Sequence, residues 1–207
     1  MKLYPCLLDK HESSGMAKGH YFHQDLLVAR RIFINNPNVH IDVGSRFDGF
    51  VTHVASFRNI KVLDIRPLSI DISNISFIQC DLMSPLPEEM IESTDSLSCL
   101  HALEHFGLGR YGDPINYNGH LLGLNNLYSL LKPKGRLYLS VPIGADRIEF
   151  NAHRVFSIEY LLKLFDKKYC IEHFSYIDDA GDLHENVAVT ETSINNYECT
   201  FGCGVLR

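Results

Sequence analysis

The stretch VHIDVGSRFDGF, from Val39 to Phe50, changes its period half-way along. Val39-His40-Ile41-Asp42-Val43 reads as a short strand that runs into Gly44. Past Gly49 the apolar positions Phe50, Val54 and Phe57 recur at i, i+4 and i+7, the spacing of a helix. Strand, glycine turn and helix together open a βαβ unit. A glycine at that turn lets the backbone bend tightly, and the amides entering the helix face whatever lies above the sheet.

The same alternation extends outward from this stretch. Upstream, Phe22, Leu26, Ala29 and Phe33 predict a helix that stops at Asn35-Asn36-Pro37. Downstream, strands are expected over Lys61 to Ile65, Ile75 to Cys80, Ser96 to Leu100 and Arg136 to Val141, then over a closing pair, Tyr169 to Ile177 and Tyr197 to Leu206. Leu121, Leu124, Leu127 and Leu131 place a helix over Gly119 to Lys132, stopped by Pro133-Lys134-Gly135. Ser157 is a plausible N-cap for a helix reaching Phe165, with Glu159 in its first turn. The expected fold is a Rossmann-like three-layer α/β/α sandwich, with a mostly parallel seven-stranded sheet and an antiparallel C-terminal strand at its edge. No Pro/Gly/Ser-rich linker divides the chain. One domain over 1–207 is expected, with an N-terminal segment and helix over 1–37 and the Rossmann-like core over 38–207.

Composition narrows the function classes. Hydrophobic residues make up 45% and charged residues 21%, too apolar for a disordered chain. A formal net charge of -6 and the absence of a basic run argue against a nucleic-acid partner. No stretch approaches the roughly 20 apolar residues that span a bilayer, and MKLYPCLLDKHESSG turns polar too soon for a secretory signal. The six cysteines form no C-x-x-C pair. A cytoplasmic, disulfide-free chain with no membrane partner is expected, its oligomeric state left open.

Ligands of such sheets bind beyond the carboxyl ends of the strands, near the switch in strand order. Three acids stand there: Asp42 before Gly44, Asp64 ending the second strand and Asp81 ending the third. Any one of them is ordinarily a turn or cap residue. Three in succession after a glycine turn suit a nucleoside, with Asp64 accepting two ribose hydroxyls and Asp81 an adenine amino group. Arg46 and Asp48 stand where a dinucleotide loop would place further glycines, and no G-K-[ST] is present. A nicotinamide-dependent oxidoreductase is therefore disfavoured. An acid-lined loop suits a phosphate-free ligand with a positive centre, and S-adenosyl-L-methionine is one.

DVGSR (Asp42 to Arg46), KVLDI with Asp64, QCDL around Asp81, HALEH (His101 to His105) and LKPKGRLYLSVP (Leu131 to Pro142) resemble the motifs of class I S-adenosylmethionine-dependent methyltransferases. GHYFHQDLLVARRIF, DVGSRFDGF, ALEHFGLGRYGDP and HRVFS resemble, more narrowly, the methyltransferase-like domain-of-unknown-function family 268. The glycine loop keeps only its acid and first glycine. The resemblance implies that Asp42, Gly44, Ser45 and Arg46 surround the methionine end of the cofactor. It places Asp64 and Ile65 at the ribose, Asp81 and Leu82 at the adenine, and His101 beside the reactive methyl. Some related methyltransferases place glutamate-x-x-glutamate-histidine here to bind a divalent metal. The pattern is similar but altered in this chain, where His101, Glu104, His105 and His153 would be the ligands.

Methyl transfer to oxygen or nitrogen needs an aligned nucleophile, exclusion of water and a base. His101 is the first catalytic candidate, with Glu104 or His105 behind it; the alternative reading of His101 is a structural histidine bonding a backbone carbonyl. The Gly107 to Pro114 loop is glycine-rich and suits a lid. Arg110, Asp113, His153 and Arg154 would then bind a small-molecule or carbohydrate-like acceptor. His20, Tyr21 and His23 either fold across the cofactor or only fasten the first helix. A catalytically degenerate methyltransferase fold serving as a cofactor-binding or interaction protein is the competing reading.

Overall fold

The computed structural model describes residues 2–7, 9–15, 17–189 and 200–206, the last group by its backbone alone. After a single 3-10 turn at Asp9–His11 comes helix α1 (His20–Asn35), then strand β1 (His40–Val43). A wide helical turn over Phe47–Val51 runs into the short helix α2 (Thr52–Ala55). Strands β2 (Ile60–Asp64), β3 (Ile75–Gln79) and β4 (Thr94–Leu100) follow, then helix α3 (Gly119–Leu130) and strand β5 (Leu131–Ile143). A two-stranded ribbon of β6 (Arg147–Glu149) and β7 (His153–Val155) precedes helix α4 (Ile158–Phe165). Strands β8 (Ile171–Ile177), β9 (Leu183–His184) and β10 (Thr200–Leu206) complete the elements.

The main sheet runs β3-β2-β1-β4-β5-β10-β8-β9. Its first five strands are parallel, and β10 lies antiparallel between β5 and β8. Two expectations change here. The sheet has eight strands among the described residues, because two-residue β9 adds to β8. The antiparallel C-terminal strand is also an interior strand, hydrogen-bonded on both sides, where the sequence suggested an edge.

Alternate residues of a strand face opposite layers. Ile41, Val43, Leu63, Leu97, Cys99, Leu137 and Leu139 pack with α3 and α4 in one core. Ile60, Val62, Leu100 and Tyr138 pack with α1 and α2 in another. Ser157 caps α4 as expected, its hydroxyl accepting the Tyr160 N–H at 3.1 Å. Helix α1 occupies its predicted place with a different face inward: Phe22, Leu26 and Phe33 are exposed, whereas Gln24, Asp25, Val28, Arg31 and Ile32 are buried. Among the described residues no helix is long and apolar enough to cross a membrane. Cys6, Cys80, Cys99 and Cys170 are free, and the side chains of Cys199 and Cys203 lie outside the described set.

Candidate functional site

Strand order reverses between β1 and β4, and a cleft opens over that point. Gly44 adopts φ +73, and a Cβ there would meet the Ala102 Cβ at 2.8 Å. The β1 and β4 tips therefore approach as closely as backbone allows. On one side lies a compartment of about 540 Å³ bordered by Asp64, Ile65, Asp81, Leu82 and Met83. On the other is one of about 860 Å³, bordered by Ser45, Arg46, Glu104, Arg110 and His153 together with Tyr21, Gln24 and Asp25 of α1. Gly44, His101, His105, Arg66 and Tyr111 border both.

Asp42 does not reach either compartment. It is 0% exposed, and its carboxylate accepts the Ser98 hydroxyl at 2.5 Å, the Ser45 hydroxyl at 2.8 Å and the Ser45 N–H at 3.1 Å. Through these contacts it holds the loop after β1. Behind it, His40 Nε2 lies 3.2 Å from the Ser98 hydroxyl and Nδ1 lies 2.8 Å from that of Ser96. With Ser98 donating to Asp42, Nε2–H donates to Ser98 and Nδ1 accepts from Ser96.

Burial pushes the Asp42 carboxyl up to about 6 and the His40 imidazole down to about 3. Between about pH 4 and 6 the folded chain therefore holds a proton on Asp42 that the unfolded chain lacks. The unfolded chain holds one on His40 that the folded chain lacks, so the two contributions cancel. Asp42→Asn removes one side of that balance. Its stability is expected to rise with pH by about 1.4 kcal/mol per unit across the window, relative to wild type. Urea midpoints from pH 4 to 6 measure this, and two parallel curves would refute it.

Asp64 is engaged from within the chain. The Arg66 N–H and Nε donate to Oδ1 at 2.8 and 3.0 Å, and a terminal Arg66 nitrogen donates to Oδ2 at 2.6 Å. The Arg66 guanidinium also lies 4.5 Å over the Tyr111 ring. Asp81 does what an acid at a strand end ordinarily does, accepting the Met83 N–H at 2.8 Å and the Ser84 hydroxyl at 3.0 Å. Ile65 and Leu82 present the apolar floor between these acids.

His101 has φ +51, uncommon for a residue with a side chain. Its N–H is held by the carbonyl and hydroxyl of Ser140 at 3.1 and 3.2 Å. Its Nδ1 lies 3.1 Å from Glu104 Oε1, and its ring meets Tyr21 edge-on. Glu104 is 2% exposed, with its Oε2 unpartnered. His105 Nε2 lies 3.7 Å from Glu104 Oε1, while His105 Nδ1–H donates to the Ala152 carbonyl at 2.7 Å. Burial lowers the His105 pKa, so the ring is neutral at pH 7. Among the described residues no group of three or more histidine, cysteine or acidic side chains is arranged to hold a metal ion. The donor set thus does not fit a metal.

The four acceptor candidates separate. Arg110 reaches the Ala152 carbonyl at 3.0 Å and leaves the rest of its guanidinium exposed at the rim. His153, brought in by the β6–β7 ribbon, sits on the same wall and lies 3.5 Å from Glu149. Asp113 shapes the loop, accepting the N–H groups of Gly107, Gly109 and Tyr111. Arg154 stands apart from the other three: it borders neither compartment, is 3% exposed, and donates to the carbonyls of Glu104, Phe106, Asn116 and Tyr117.

Residues 53–201 match the model of a family described as a Caenorhabditis protein of unknown function, DUF268. The chain belongs to that family. No curated protein sequence matches it. Solved structures do resemble this DUF268 chain. One is the N-methyltransferase NodS from Bradyrhizobium japonicum WM9 in complex with S-adenosyl-L-homocysteine. It has 12% identity over 98% of this chain and 91% of that one, with a TM-score of 0.59. Another is the Burkholderia thailandensis 1,6-didemethyltoxoflavin-N1-methyltransferase, with 12% identity over 89% and 77% and a TM-score of 0.56. The [4+2]-cyclase SpnF is also similar, with 13% identity over 88% and 79% and a TM-score of 0.60. At such identities the likeness establishes the fold, that of the class I methyltransferases.

Gln24, Asp25, Arg66 and Tyr111 border the cleft although the motifs did not single them out as ligand-binding. The one signal for the first two was polar side chains on a helix that must bury a face.

Proposed function

We propose that this chain transfers the methyl group of S-adenosyl-L-methionine to a polar acceptor, a sugar or other small-molecule hydroxyl. The observation that carries the reading is the divided cleft. A compartment with Asp64 and Asp81 over an apolar floor shares Gly44 and His101 with a second compartment, where the buried Glu104 carboxylate has an unpartnered oxygen. The cofactor supplies an electrophilic methyl on a positively charged sulfur.

Asp64 would accept the ribose hydroxyls, which requires Arg66 to yield part of its grip. Ile65 and Leu82 would flank the adenine, and Gly44 would leave room for the sulfur end. On the acceptor side, His101 and Glu104 form one unit. The hydroxyl proton passes to it as the oxygen–carbon bond forms and the sulfur–carbon bond breaks, leaving a neutral thioether. Tyr21 and Tyr111 border the space between, where they would help to cover the reacting atoms. Arg110 and His153 at the rim are placed to orient polar groups of the acceptor. The free cysteines agree with a reducing compartment such as the cytoplasm.

Calorimetry with S-adenosylmethionine tests the nucleoside half. Asp64→Ala is expected to weaken binding by about 1–3 kcal/mol through lost charge-assisted bonds. Unchanged affinity would place the ribose elsewhere. A second reading, a cofactor-binding protein without catalysis, is favoured by the Arg66 clamp on Asp64 and by Arg46 and Asp48 in the glycine loop. Release of S-adenosylhomocysteine on incubation with hydroxylated acceptors distinguishes the two.

A further inference from the structure

Two carboxylates face the second compartment, Glu104 and Asp25, and only the first has a part in the reaction above. Asp25 projects from α1 and is 7% exposed. Gln24 Nε2 donates to its Oδ1 at 3.1 Å. Gln24 is anchored in turn by the Ser140 hydroxyl, which donates to its Oε1 at 2.5 Å. Ser140 is also the residue that receives the His101 N–H. The Asp25 carboxylate is thereby fixed relative to the β4 and β5 tips, although it comes from another element. Behind it the Gly49 backbone passes so close that a Cβ there would lie 2.6 Å from Asp25 Oδ2.

Burial pushes the Asp25 carboxyl up, and no arginine or lysine ion pair to it occurs among the described residues. A carboxylate taken out of water is stable when a cation meets it. A ligand whose nucleoside fills the first compartment must send what lies beyond its sulfur past Gly44 and His101 into the second. In S-adenosylmethionine that portion is an amino-acid tail with one ammonium and one carboxylate. Arg46 and Tyr21 border the same compartment as Asp25, so it offers an anion for the ammonium and a hydroxyl for the carboxylate, with the Arg46 guanidinium, which donates to Asp48 at 2.7 and 3.0 Å, as the nearby cation.

We infer that Asp25 is the residue that receives the α-ammonium of the cofactor's amino-acid tail, which makes α1 part of the cofactor site. The inference rests on the function proposed above. Its test compares two probes, S-adenosylhomocysteine, which has the tail, and 5′-methylthioadenosine, which keeps the nucleoside and sulfur without it. Wild type, Asp25→Asn and Gly49→Ala are each titrated with both by calorimetry.

Asp25→Asn is expected to weaken S-adenosylhomocysteine at least about tenfold and to leave 5′-methylthioadenosine within about twofold. Gly49→Ala is expected to act in the same direction, because its methyl displaces the carboxylate. If wild type binds both probes and the variants weaken both equally or neither, Asp25 is structural and the inference fails, while the nucleoside site stands. If wild type binds neither probe, the functional reading of the cleft falls and this inference falls with it.

Discussion

Glu104→Gln is expected to lower the rate of methyl transfer by about 100- to 1,000-fold while leaving S-adenosylhomocysteine affinity within about twofold. The side chain is 2% exposed, so the amide replaces the carboxylate in a nearly dry place where charge counts most. In the proposed reaction Glu104 would serve two ends. Glu104 Oε1 orients the His101 ring through the 3.1 Å contact to Nδ1, and its negative charge favours the imidazolium that forms when the pair takes a proton. Glutamine can keep the first by accepting through its oxygen. It cannot supply the second, so the loss falls on turnover rather than on binding. Single-turnover assays with a responsive acceptor, set beside calorimetry, measure the two effects separately. A variant whose turnover stays within threefold or so of wild type would remove Glu104 from the chemistry.

Much of the fold was legible because parallel strands buried on both faces leave plain signatures. β1, β2, β4 and the core of β5 stand where short apolar runs stop at glycine, aspartate or histidine. What misled was position within the sheet and orientation of a helix. β10 reads as a strand from its sequence, but nothing local says that it inserts between β5 and β8, since that choice is made by long-range pairing. In α1 the apolar residues Phe22, Leu26 and Phe33 point outward. The buried face is mixed instead: Leu27, Val28, Ala29 and Ile32 pack inward, while Gln24 and Asp25 border the cleft and Arg31 is bonded to Asn186 at 2.9 Å. Periodicity that counts only apolar positions misplaces a buried face that also carries polar side chains.

The strand-tip acids show the same division. Their positions could be read from the order of strands, but their partners could not. Asp64 is clamped by Arg66 two residues on, Asp81 holds its own turn, and Asp42 lies beneath the loop rather than in the cleft. Identical residue types at equivalent strand ends thus have three different environments, set by contacts from β4, from the loops after β1 and β2 and from the turn after β3. A motif locates the corner of the sheet where a ligand fits. Which group touches that ligand depends on side chains that arrive from elsewhere in the chain.

Arg154 illustrates this most sharply, and its replacement by methionine is expected to cost about 3–5 kcal/mol of stability. Its guanidinium is 3% exposed and donates to four backbone carbonyls, those of Glu104, Phe106, Asn116 and Tyr117, at 2.5 to 3.4 Å. These carbonyls belong to the two ends of the segment that carries His105, Arg110 and Tyr111. Methionine replaces the aliphatic stem but stops short of the guanidinium, so the cost combines acceptors left without donors with the space the guanidinium vacates. Arg154→Lys offers fewer donors in a less suitable geometry and should recover only part of the loss. Urea denaturation measures both variants. Because the segment forms one rim of the cleft, Arg154→Met should also raise the acceptor KM more than it weakens S-adenosylhomocysteine. A midpoint shift worth under about 1 kcal/mol would mean that water replaces the guanidinium at these carbonyls, and that the rim is held by the Asp113 contacts instead.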